Sequence, residues 1–175
     1  MNYKKPKDRR EWCYPFIYEQ QPLCDYEIAT DELCSRVGLV LALLPEALAR
    51  VEADLDWLQP RIYHLNGSVR GRNGIFETDL DGLKERYDWY REQVADRVSG
   101  FVLPRGSRLV AELHLCRCGA KKVVRHLVQL EQAGLGYENT LPRFANLLAN
   151  FFFVLTVFIK QEQGEEEVPY ISINY

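Results

Sequence analysis

Most of the patterns that announce a function are missing from this 175-residue chain. It has no Gly-x-x-x-x-Gly-Lys phosphate loop, no Cys-x-x-Cys pair and no His-Glu-x-x-His, which excludes the common phosphate-loop, thiolate-zinc and metalloprotease signatures. Histidine is scarce, with only His64, His114 and His126, so a histidine-based catalytic centre has no support. The five cysteines (Cys13, Cys24, Cys34, Cys116, Cys118) are odd in number and irregular in spacing, which argues against a secreted disulfide framework. Neither sign of charge dominates. The 22 Lys and Arg against 25 Asp and Glu leave −3, which disfavours bulk nucleic-acid binding but not a local basic patch. Nor is there a hydrophobic run of membrane length. Phe144–Ile159 falls short of the ~20 residues that a spanning helix needs and carries Asn146 and Asn150, so it reads as a buried bundle helix rather than an anchor. With no apolar leader, the chain is expected to be cytoplasmic, with reduced thiols and no membrane or nucleic-acid partner.

What is present is the balance of an ordinary globular domain: 47% hydrophobic and 27% charged residues, in a length that fits one core. The organisation expected is a basic, aromatic arm over 1–24, a helical bundle over 25–163 and an acidic tail over 164–175. The arm groups Lys4, Lys5, Lys7, Arg9 and Arg10 ahead of Trp12, Tyr14, Phe16 and Tyr18. Beyond it the apolar spacing is helical. A first helix is expected from Asp25 to Leu44, with Ile28, Val37, Val40, Leu41 and Leu44 facing inward. A second carries Leu48, Val51, Leu55 and Leu58 on one face and should kink or end at Pro60. A glycine-marked loop follows through Phe76, then a third helix capped by Thr78 or Asp79 with a Leu83, Tyr87, Tyr90, Val94, Val98 stripe. After a break at Ser99-Gly100, Ser107 caps a long fourth helix to Gln132, and Thr140 with Pro142 opens a fifth to Gln161. Five long helices joined by short loops predict an all-α, up-and-down bundle.

The fourth helix carries the most chemistry. His114, Arg117 and Lys121 recur at i, i+3 and i+7, and Lys122 and Arg125 extend a cationic strip beside them. Such a strip suits an anionic ligand, because binding relieves the repulsion among its charges; a solvated helix face with counter-ions is the plainer reading. His114 and Cys116, two residues apart on a helix, point away from each other and cannot share a metal. Asp31 and Glu32 could form ion pairs or meet a metal-nucleotide complex. Asn146 and Asn150, one turn apart in the most apolar helix, need bonding partners if buried, either other helices or a ligand.

In order and with compatible gaps, these segments resemble the ATP-dependent cobalamin adenosyltransferases of the propanediol-utilisation type. Thr30-Asp31-Glu32-Leu33-Cys34-Ser35 is similar to that family's Val-Asp-Glu-Leu-Asn-Ser. Phe101-Val102-Leu103-Pro104-Arg105-Gly106-Ser107 is similar to its Phe-Ile-Leu-Pro-Gly-Gly-Ser turn. Leu113-His114-Leu115-Cys116-Arg117 follows its Leu-His-x-x-Arg, and Phe144 to Asn150 its Phe-x-Asn-Arg-Leu-Ser-Asp. The resemblance implies a homotrimer of five-helix bundles with sites between subunits, moving the 5′-deoxyadenosyl group of ATP, with Mg2+, to the cobalt of cobalamin or a related corrinoid. It implies that Asp31 pairs with Arg117 across a subunit boundary, that Phe101 packs on the corrin and excludes the lower axial ligand, and that Lys121 and Asn146 serve the nucleotide. No resident metal site is implied.

The family's Thr-Gly-Asp-x-Gly-Thr-Thr nucleotide loop has no counterpart here; Tyr3 to Arg10 stands in its place without glycine or threonine. Point charges such as Lys5, together with Arg125 on the fourth helix, could hold phosphate instead of a backbone cradle. The alternatives are a family member that has lost catalysis and carries a corrinoid, or a purely structural helical oligomer.

Overall fold

A computed structural model describes residues 5–97 and 100–174. Its helices are α1 (Leu23–Leu43), α2 (Ala49–Gly67), α3 (Glu77–Gln93), α4 (Arg108–Gln132) and α5 (Thr140–Glu162), and the fold is the expected five-helix bundle. Short 3-10 turns occupy Arg9–Glu11 and Glu46–Leu48. Val98 and Ser99, assigned from sequence to the end of the third helix and the break after it, lie outside the described residues.

The packing order around the bundle is α2, α1, α4, α5, α3. Leu33, Val37 and Val40 of α1 are buried with Leu113, Cys116, Ala120 and Val123 of α4. Gly119 brings these two helices close, since a Cβ there would stand 3.1 Å from Leu33 Cδ1. On the other side of α4 lies α5, the most apolar rod, whose Phe144, Phe151, Phe152 and Leu155 are fully buried. At 23 residues α5 is longer than its apolar run suggested and by composition could cross a membrane, yet α4 and α3 pack along it. The seam between α2 and α3 is polar. Asp54 on α2 accepts from Tyr90 Oη at 2.9 Å and pairs with Arg86 at 2.8 Å, and Arg61 pairs with Asp79 at 2.8 Å. Arg61 and Arg86 both stack on Trp57, and Arg50 stacks on Trp89.

Several local expectations need correction. Ile28 points outward, 46% exposed, because α1 begins near the surface and its buried stripe there runs through Tyr26, Ala29 and Leu33. Pro60 does not end the second helix: it sits on the exposed side of α2, which continues to Gly67 because Ile62 and Leu65 are fully buried beyond it. Asp79 is not an N-cap but lies inside the first turn of α3, where its Oδ2 accepts from Phe76 N at 2.9 Å. Ser107 does cap α4, its hydroxyl accepting from Val110 N. The tail, whose role sequence did not assign, folds back. It forms an antiparallel bridge between Pro169 and Val102, the residue after Phe101.

Candidate functional site

Helical spacing on α4 and α5 builds a cleft beside the middle of both helices, against which the Phe101 segment lies. Arg117 and Lys121 stand one turn apart on α4, and Ala149, Asn150 and Phe153 face them from α5. Gly100, Phe101 and Val102 close the cleft, whose volume is about 300 Å³. Phe101 is 71% exposed, a large price in apolar surface for a ring that touches little of its own bundle. Arg117 lies over the Phe153 ring, 5.9 Å from its centroid, and its Nε is buried with no hydrogen-bond partner among the described residues. A guanidinium carries five donors and cannot shed its charge, so this orphan wants an anion.

A second hollow of about 200 Å³ shares Asn150 and Phe153 and extends along α5 to Tyr87, Arg91, Val94 and Val157. Arg91, Arg117 and Lys121 line the joined trough, and no carboxylate is among the described residues lining it. On its other flank Lys121 continues into a shallow basic surface with Lys122, Arg125 and His126. The arrangement can hold a polyanion along α4 while offering apolar side chains to a flat ring beside it.

His114, one turn before Arg117, is different in kind. It is buried, with neither ring nitrogen partnered among the described residues. Burial first, then the positive charges of Arg117 and Lys160, hold its pKa down at about 4, so the ring is neutral and takes no part in anion binding.

Asn146 and Asn150 are exposed rather than buried, on the edge of α5 that borders the groove between α3 and α4. Asn146 Nδ2 donates back to Pro142 O at 2.8 Å, and it is Asn150 that lines the cleft. Asp31 lies elsewhere, on the α1–α2 side, where Tyr63 Oη donates to its Oδ1 at 2.8 Å. It borders a cleft of about 510 Å³ formed with Glu27, Ile28 and Asn66 and roofed by Cys13, Tyr14 and Ile17 of the arm. Arg70 holds that arm down, pairing with Glu27 and Glu19 at 2.5 Å each and stacking on Phe16. Lys5 is engaged within the arm, 3.9 Å from the Trp12 ring centroid. Within one chain, then, Phe101, Arg117 and Lys121 come together, whereas Asp31 and Lys5 do not join them. Phe153, Arg91 and Arg70 had not been singled out; a lone aromatic or arginine on a helix gives no signal until its neighbours are known. Tyr63 was missed likewise.

Fold and cleft together define a helical-bundle protein with a cationic cleft set against apolar side chains. The sequence model described as cobalamin adenosyltransferase matches residues 19–159, and the chain belongs to that family. It is 31% identical over 141 residues to the cobalamin adenosyltransferase of Cupriavidus metallidurans, covering 79% of this chain and 74% of that protein. It is 27% identical over 154 residues to the human corrinoid adenosyltransferase MMAB, covering 82% of this chain but 61% of the human protein. The chain thus spans about three fifths of that relative's length. In structure it is similar to a variant of the PduO-type ATP:corrinoid adenosyltransferase from Lactobacillus reuteri complexed with cobalamin and ATP. The TM-score is 0.80 at 22% identity, over 89% of this chain and 90% of that one.

Proposed function

We propose that this protein transfers the 5′-deoxyadenosyl group of ATP to the cobalt of a reduced corrinoid, as a cytoplasmic homotrimer with its sites between subunits. The observation that carries the reading is the convergence of Phe101, Arg117 and Lys121 on one cleft without a carboxylate. Their backbone positions come from two separate segments, the turn at Phe101 and α4, and the cleft lies within the stretch matched to the family.

The reaction asks for little acid–base chemistry. Cobalt(I) of the corrinoid substrate supplies the electron pair for the new cobalt–carbon bond, the C5′–O bond breaks, and triphosphate leaves with that bond's electrons. The chain must hold the two substrates in line and neutralise the departing charge. Lys121, on the cleft wall, would meet the triphosphate, with Arg125 on the strip beyond it. Phe101 offers its exposed ring to the corrin face, where it would keep the lower axial ligand off the cobalt. Asn150, which lines the cleft from α5, would face the nucleotide, with Asn146 one turn before it on the same exposed edge of the helix. Among the described residues no cluster of three His, Cys, Asp or Glu could hold a cation, so Mg2+ would arrive on the triphosphate oxygens and water.

The trimer is supported by what a single chain leaves incomplete. Arg117 Nε lacks a partner, Asp31 is exposed, and Ile28, Leu39 and Leu115 leave apolar surface on the outer faces of α1 and α4. Pairing Asp31 of one copy with Arg117 of the next would satisfy both charges. It would also bring the part of the arm that lies beside Asp31, Cys13 to Ile17, up to the neighbour's cationic cleft. The five cysteines are all free.

A second reading, a corrinoid-binding protein without catalysis, is favoured by the arm itself, since Lys5 lies on Trp12 and Arg70 fastens the segment behind it to the bundle. Absorption spectra of cob(II)alamin with the protein, with and without Mg-ATP, separate the two. Loss of the axial-ligand absorption only when ATP is present supports the transferase. A change without ATP supports the carrier, and no change under either condition overturns both.

A further inference from the structure

The mechanism leaves one buried ion pair unused. Lys160, near the end of α5, is 2% exposed, and its Nζ meets Glu167 Oε2 at 2.9 Å; the Glu167 side chain is 9% exposed. Taking both charges out of water is costly, so such a pair persists where it fixes one arrangement of the chain. What it fixes is the tail's path. Seven residues past Lys160, the chain has reversed and runs against the Phe101 turn, where Tyr170 N donates to Phe101 O at 2.8 Å and Leu103 N donates to Val168 O at 2.8 Å. Upstream in the tail, Glu165 Oε2 accepts from Ser107 N at 3.2 Å, and Arg97 donates to Glu165 O at 2.9 Å. Gly106 makes room for this contact: a Cβ there would sit 3.0 Å from Glu165 Oε2 and 2.8 Å from Val110 Cγ1.

These contacts hold both sides of a residue that little else holds. The Phe101 side chain is mostly in solvent, so packing does not fix it, and its backbone carbonyl is tied through Tyr170 N alone among the described contacts. We propose that the C-terminal tail, moored to the bundle by Lys160 and Glu167, is a positioning element that clamps the Phe101 turn at the mouth of the cationic cleft. A ring that must displace a ligand from one face of a corrin has to arrive at a set height and angle, and a backbone tied at 101 and 103 provides that. This inference rests on the role given to Phe101 above.

The experiment separates the clamp from that role. Tyr170→Pro removes the N–H that binds Phe101 O, whereas Tyr170→Ala keeps it, so their difference isolates one backbone bond. Tyr170 is half in solvent, and neither change touches the core. Amide hydrogen exchange across residues 100–106 should be about tenfold faster in Tyr170→Pro than in Tyr170→Ala. With cob(II)alamin and Mg-ATP, the yield of the species lacking its axial ligand should fall about tenfold between the same two variants. Glu167→Gln keeps an acceptor for Lys160 but drops the charge, and should move both readouts the same way by about threefold. Exchange unchanged in Tyr170→Pro overturns the clamp, as does faster exchange with an unchanged spectrum. Exchange unchanged in Glu167→Gln overturns the mooring. Phe101→Ala serves as the reference. If it matches the parent spectrum, the role of Phe101 falls and the inference with it; if it loses the species while Tyr170→Pro keeps it, the clamp alone falls.

Discussion

At His114 a neutral imidazole sits beside two cations, and the pH dependence of stability follows from that. Its folded pKa of about 4 lies below the ordinary 6.5, so the unfolded chain binds the proton more readily than the native one. Above pH 6.5 neither state is protonated there and the residue contributes no slope. As pH falls from 6.5 towards 4, the unfolded state is stabilised by protonation and native stability is lost, about 2 kcal/mol of it by pH 5. His114→Leu removes the titration and two unpartnered nitrogens together. Unfolding free energies from urea titrations at pH 7 and pH 5 should therefore lie closer together in the variant than in the parent by about that amount, and an equal acid sensitivity would rule the account out. Lys121, exposed on the cleft wall, is the residue proposed to meet the triphosphate. A charge-assisted hydrogen bond contributes about 1.5–3 kcal/mol, so Lys121→Ala should weaken ATP binding by about 10- to 100-fold while leaving corrinoid binding within a few-fold. Calorimetric titration with each substrate checks this, and equal losses for both would remove Lys121 from the phosphate site.

The helices themselves were legible because apolar spacing and punctuation agreed: Ser107 before α4, Gly134 after it, Thr140 and Pro142 at the start of α5. Pro60 shows where local rules lose to packing. Its ring leaves the Asp56 carbonyl without its usual helical donor, yet α2 stays intact because buried residues on both sides of the proline hold it. Pro60→Ala should restore that bond and stabilise the protein by about 1–3 kcal/mol, less what the more flexible unfolded chain gains, read as a higher Tm. The cationic wall of the site was likewise visible, since i, i+3, i+7 spacing puts Arg117 and Lys121 on one side of one helix. The asparagines were misplaced because composition alone cannot say which edge of an apolar helix lacks a neighbour. The tail's return to Phe101 was invisible because it depends on backbone hydrogen bonds and a Lys–Glu pair, neither of which has a periodic signature. Gly106 is held to glycine mainly by the turn into α4, where its φ is +156° and a Cβ would stand 2.8 Å from Val110 Cγ1. Gly106→Ala should destabilise the protein by about 1–3 kcal/mol, since Val110 sits on a rigid helix and cannot give way, and thermal melts will show it.

For the molecule as a whole, the two halves of the proposed site lie on different seams of the bundle. Asp31 faces the α1–α2 side with the arm, and Arg117 faces the α4–α5 side with Phe101. Within one chain the packed α1–α4 contact keeps them apart, whereas the proposed ring of identical copies would join them at every interface. A closed ring of this kind makes the pair testable by charge reversal. Asp31→Arg should lose Tyr63's hydrogen bond and place two cations face to face, and Arg117→Asp should do the same with two carboxylates. Removing one partner of a buried pair costs about 3–5 kcal/mol, so each single variant should shift the assembly towards monomer at micromolar concentration. The double variant restores opposite charges at the same interface and should recover much of the trimer in sedimentation velocity. Its nucleotide site would still carry a carboxylate where Arg117 stood, so assembly should return without turnover. Single variants that remain trimeric would place the subunit contact elsewhere, and leave Arg117 to meet its anion in the substrate alone.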